Sequence, residues 1–130
     1  MAIPPFPELF HAASSGVIGY DLLARLAAET SVPAPQMLDS FSIFVASAYA
    51  SGEMPFDEAS VIINAVFGVG LSEPFWAAHD RVVPPSMMEV YQAFDAGEYH
   101  HPGDGPEVDP EQKYTQPLIA DFLARCGSNA

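Results

Sequence analysis

Between Glu98 and Glu111 the chain sets two imidazoles, His100 and His101, among the carboxylates of Glu98, Asp104, Glu107, Asp109 and Glu111, without one basic side chain. Neutral imidazole nitrogen and carboxylate oxygen both suit borderline divalent metals, so His100, His101 and Asp104 are the residue types that ligate Zn, Mn, Fe or Ni. The spacing matches no dependable motif. Adjacent histidines in extended chain point to opposite sides, whereas helical sites place them four apart, and the D-x-[DN]-x-[DN]-G calcium pattern is missing. The plain reading of the stretch is a solvated acidic loop. His79 and Asp80 extend a metal site only if the fold brings them close.

The same stretch supports a second kind of chemistry. Aromatic side chains anchor a partner and carboxylates steer it, so Glu98, Tyr99, Asp104, Glu107, Asp109, Glu111 and Tyr114 together make a docking surface for a basic protein. Charge of this size also serves solubility alone.

Other constellations are weaker. Asp57 with Glu58, or Glu107 with Asp109, could form an acid and base pair, but acids are stabilised at helix starts without any catalysis. Cys126 has Arg125 beside it to lower its pKa, yet a chain end frays and holds no base in place. No G-x-S-x-G, glycine-rich phosphate loop or C-x-x-C occurs. Met87 and Met88 with Tyr91 and Phe94 are suited to an adaptable apolar groove, or to ordinary core.

The elements that must position these residues are helices separated by prolines. Leu22, Leu23, Leu26 and Ala27 form one face of a helix over about 15–29, and Asp21, Arg25 and Glu29 can pair along its other face. Met37, Phe41, Phe44, Val45 and Ala48 predict a second over 35–50, ending before Gly52, with a nearly uncharged face of Asp39, Ser40, Ser47 and Ser51. Asp57 is the expected N-cap of a third, with Phe56 and Val61 as its staple. The β-branched Val61, Ile62, Ile63, Val66 and Val69 leave strand open there. Ser72 starts a short helix carrying Phe75 and Trp76. Ser86-Met87-Met88-Glu89 is a capping box for a helix ending near Gly97.

Residues 98–109 lack apolar periodicity and form the long acidic loop. Asp109 then caps a last helix, with Pro110 at its first position and Pro117 forcing a kink or restart near Thr115. Leu118, Ile119, Phe122 and Leu123 dock that helix, and Gly127 ends it. The expectation is therefore all-α: one domain over 1–130, an irregular bundle of about five or six short helices with Pro-rich connections.

Composition narrows the function. The chain has 130 residues, 17 Asp+Glu against 4 Lys+Arg, a net charge of −13 and 49% apolar residues. Such apolarity opposes disorder, and such charge opposes nucleic acid and anionic membrane as partners. The field is uneven: residues 1–52 carry −3 and residues 53–130 carry −10. One cysteine, Cys126, rules out an internal disulfide, and Met1 to Phe10 has no secretory pattern, so a reduced, cytoplasmic setting is expected. The uncharged stretch Ala59 to Ser72 is 14 residues, short of the roughly 20 that a membrane span needs.

In composition, though not in motif, the chain is similar in kind to small acidic helical proteins that neutralise basic toxins or enzymes, such as bacterial immunity proteins and antitoxins. The leading expectation is a non-catalytic module that docks a basic protein through its acidic C-terminal half. The alternative is a metal-binding protein or metal-dependent enzyme using His100, His101 and Asp104 with a divalent cofactor. A third reading, from the nearly uncharged second and third helices, is a self-associating subunit.

Overall fold

The computed structural model describes residues 6–127, and every regular element among them is helical. The Met1–Pro5 part of the stretch read for targeting lies outside them. The helices are α1 (Phe6–Ser14), α2 (Tyr20–Thr30), α3 (Ala34–Ala50), α4 (Phe56–Gly70), α5 (Glu73–Ala78), α6 (Pro85–Ala96) and α7 (Gln116–Gly127), with a π-helical segment, Glu111–Thr115, leading into α7.

The centre is a triangle of helices in which α3, α4 and α6 pack pairwise against one another. Their apolar positions recur at helical spacing and turn inward: Phe41 and Val45 from α3, Ile62 and Val66 from α4, Val90 and Phe94 from α6 are all buried. Burying each such side chain is worth about 1.5–3 kcal/mol. Where α4 meets α6 the end of the Met87 side chain lies over Gly70, and a Cβ there would stand 2.6 Å from the Met87 sulfur. Phe67 of α4 stacks on Tyr91 of α6 with centroids 3.6 Å apart. Around this triangle, α1 lies on α4, α2 on α3, and α7 spans α3 and α6.

The second segment fulfils its reading almost residue for residue, and the ambiguous third is helix throughout. Ile62, Ile63 and Val66 form the buried face of a helix rather than the alternation of a strand. Four local expectations need correction. The first helix is preceded by another, α1, whose Leu9 and Ala13 are wholly buried. Asp57 is not the N-cap of α4, which starts one residue earlier behind Pro55 without a side-chain cap.

The Ser86–Glu89 capping box does not form either. Helix α6 begins at Pro85, and its Met87 N–H donates to Asp39 Oδ1 of α3 at 2.9 Å. The carboxylate that caps α6 thus comes from the serine face of another helix, while Glu89 binds Arg125 of α7. Half-burial pushes the Asp39 carboxyl above its usual pKa, and the N–H groups of Met87 and Ser86 draw it back down.

The kink or restart expected near Thr115 does not occur: ahead of Pro117 the helix widens into a π turn and runs on into α7. The Gln116 N–H reaches back five residues to Glu111 O. Proline has no N–H and its ring crowds the carbonyl four residues before it, so a π turn immediately ahead relieves the clash. This keeps Glu111 and Gln116 together on one side of the helix start.

Candidate partner-binding surface

The acidic loop is where the sequence placed it, joining α6 to the π segment, but it is not simply solvated. Tyr99, His101 and Tyr114 stack in series, with centroids 4.3 Å and 3.8 Å apart. The His101 Nε2–H donates to Ala96 O at 2.7 Å, satisfying one of the carbonyls left open at the end of α6. Asp104, its side chain 10% exposed, accepts from Lys113 Nζ at 2.5 Å and from the Tyr114 hydroxyl at 2.7 Å. The Lys113 ammonium, followed by the Tyr114 hydroxyl, holds the Asp104 carboxyl below the usual carboxylate range. The same bond to Asp104 raises the pKa of both Lys113 and Tyr114.

The remaining loop acids are tied to different helices. Glu98 accepts from the Ser60 hydroxyl and, at 3.4 Å, from the Asn64 amide, both on α4. Asp109 Oδ1 accepts the Glu111 N–H at 3.0 Å, as its expected capping role requires. Glu111 Oε2 accepts from the Tyr49 hydroxyl of α3 at 2.6 Å. Glu107 and His100 are exposed, and Tyr99 keeps half its surface in solvent.

These bonds bear on the metal reading. A carbonyl can only accept, so His101 Nε2 carries the proton and the lone pair of the neutral ring lies on Nδ1. Each oxygen of Asp104 already accepts one hydrogen bond, from Lys113 and from Tyr114. Among the described residues no group of three or more His, Cys, Asp or Glu is placed to hold a metal ion. His79 packs instead against Phe75. The four methionine and aromatic positions divide: Met87 and Phe94 are core, Tyr91 lies on Phe67, and Met88 lines an open hollow with Val83, Gln92 and Leu118. Asp57 and Glu58 stand exposed in the first turn of α4, and Cys126 is a half-buried free thiol near the end of α7.

A feature that the sequence did not suggest lies around the α3–α4 turn. On one side, a cavity of about 490 Å³ is lined by Tyr49, Met54, Pro55, Phe56, Glu111, Gln116 and Ile119. Tyr49 and Phe56 of its wall form a ring triangle with the buried Phe94 behind them, Tyr49 edge-on to Phe94 at 5.0 Å. Burial first, and then the Glu111 and Asp109 carboxylates, push the Tyr49 phenol far above its usual pKa. No basic side chain lines this cavity. On the other side, sharing Met54, an apolar hollow of about 340 Å³ is walled by Pro7, Phe10, Phe44 and Ala48 with Glu53 and Glu58.

Tyr49, Gln116, Ser60 and Asp39 are the site and support residues that local patterns missed. Only Asp39 gave a signal, as the one charge on a serine face. The chain matches no protein-family model, and no curated protein or solved structure is significantly similar to it.

Proposed function

We propose that this protein is a non-catalytic module that captures a basic protein and neutralises it by covering its basic face. The observation that carries the reading is the fate of the positive charges. Arg25 is held by Glu8 and Glu29, Lys113 by Asp104, and Arg125 by Glu89 and Asp121. Three of the four Lys and Arg are therefore engaged with the protein's own acids, while Glu53, Asp57, Glu58, Glu73, Asp80 and Glu107 face solvent. The outer field is negative over a framework with buried apolar support. Such a field accelerates association with a basic partner by about 10 to 1000-fold at low salt and repels nucleic acid and anionic membrane.

A single cysteine and the absence, among the described residues, of a helix long and apolar enough to cross a membrane accord with a reducing, cytoplasmic setting. The test is the salt dependence of affinity. A partner captured at low salt should bind progressively more weakly up to physiological salt, through a slower association rate. Affinity unchanged over that range removes the reading.

A second reading rests on α4. Its outward stripe of Val61, Asn64, Gly68 and Leu71 is uncharged, and Val17, 70% exposed, shares a hollow with Asn64 and Gly68. A second copy would meet there on uncharged side chains, with the exposed Asp57 and Glu98 at the edge of the contact. A monomer in light scattering at micromolar concentration removes it.

A further inference from the structure

We infer that the cavity beside Tyr49 receives a lysine side chain of the basic partner, its ammonium group paired with the Glu111 carboxylate. The inference rests on the reading of a basic partner and names where one of its charges goes. The cavity, at about 490 Å³, lies within the 300–1,000 Å³ typical of binding pockets. Met54, Phe56 and Ile119 offer apolar wall to a four-carbon stem, and Tyr49 and Phe56 supply aromatic rings, which attract cations.

Glu111 is half-buried and forms no ion pair among the described residues. Its hydrogen-bond donor is a neutral phenol, so a full negative charge stands in the cavity wall without a cation. Asp109 adds to the same field. An incoming ammonium supplies the missing charge, which a buried or half-buried carboxylate otherwise lacks at a cost.

The geometry selects lysine over arginine. A guanidinium that binds side-on uses both carboxylate oxygens and must share Oε2 with any donor already there. Here Tyr49 already donates to Oε2, so a point donor on Oε1 leaves that bond undisturbed and is favoured over a side-on fork. The π segment and Pro117 fix Glu111 and Gln116 beside α3, so the acceptor is in place before the partner arrives.

The experiment is amide NMR of the whole chain at low salt, titrated with the peptide acetyl-Gly-Lys-Gly-amide, its arginine analogue, its side-chain-acetylated analogue, and n-butylammonium. The lysine peptide should shift Tyr49, Phe56, Glu111 and Gln116, the arginine peptide less, and the acetylated peptide not at all. Glu111→Gln still accepts from Tyr49 and should weaken lysine binding about tenfold. Tyr49→Phe keeps the ring, frees the second oxygen and should shift the preference toward arginine, a change of selectivity that a purely structural role does not produce. Should Glu111→Gln fail to fold by circular dichroism, the Tyr49→Phe selectivity decides. Lysine-peptide shifts confined to other surfaces overturn the cavity assignment and leave the basic-partner reading standing. No shift with either cationic peptide overturns the cavity assignment, while the basic-partner reading falls only to a partner affinity unchanged by salt. Butylammonium, which carries the stem and ammonium alone, should shift the same residues; if the lysine peptide binds and butylammonium does not, the contact belongs to the peptide backbone and the side-chain assignment is overturned.

Discussion

The loop from Glu98 to Asp109 and the cavity beside Tyr49 contain the same chemical parts, tyrosines and carboxylates, and use them in opposite ways. In the loop, Asp104 meets Lys113, Glu98 meets Ser60, Asp109 meets a backbone N–H, and Tyr99, His101 and Tyr114 stack face to face. Charge and aromatic surface are consumed in closing the loop on the helices. At the cavity, the Glu111 carboxylate accepts from the Tyr49 hydroxyl of α3, and among the described residues no basic side chain lines the wall. A local excess of acid in sequence therefore says little about where unneutralised charge stands; the partner of each carboxylate decides.

This contrast can be broken by measurement. The largest effect is expected at Gly97, where a Cβ would collide with the Thr115 hydroxyl and stand 3.2 Å from the Glu111 backbone. Thr115 is wholly buried and donates to Ala93 O, so it cannot swing aside. Gly97→Ala should lose about 1–3 kcal/mol in chemical denaturation, and a wild-type midpoint would show that the loop is not packed on the π segment. Next, His101→Ala removes the middle ring of the stack and exposes Ala96 O, for about 1–2 kcal/mol. A loss below measurement error there would make the stack incidental.

The third effect is a pH dependence. The Asp104 pKa is lower folded than its unfolded value of about 3.9, so the folded state binds that proton less tightly. Its contribution is present above about pH 4 and is lost as pH falls through the folded value. Asp104→Asn should flatten the melting temperature in that acid range, and an unchanged slope would assign it to other carboxylates. The smallest effect is at Glu107, exposed on the loop: Glu107→Gln should stay within about 0.5 kcal/mol of wild type. A larger change would reveal a fourth tied acid.

Much of the fold was legible because long apolar periodicities decide it. The seventeen residues of α3 and the end of α6 at Gly97 follow from spacing and punctuation alone. Helix α1 escaped because its nine residues offer about two and a half turns of pattern, and Leu9 and Ala13 gain their stability from α4 rather than from their own segment. The loop's position was legible and its interior was not. The bond between Tyr49 and Glu111 spans 62 residues, and no local rule links such positions. Asp57 and Ser86 show the limit of cap motifs: both have the right residue type, and neither caps, because Pro55 and Asp39 fix the helix starts instead.

The cap on α6 reaches further than its single bond. The first turn of this helix is completed by a carboxylate 48 residues earlier in the chain, so α6 carries no complete start signal of its own. A fragment that begins after α3 inherits a helix with open donors, and loosening α3 opens the first turn of α6 at the same moment. The Ser86 and Met87 amide protons consequently act as remote reporters of α3. Their exchange with solvent should follow the global unfolding of the bundle, not the fraying of the helix end on which they sit.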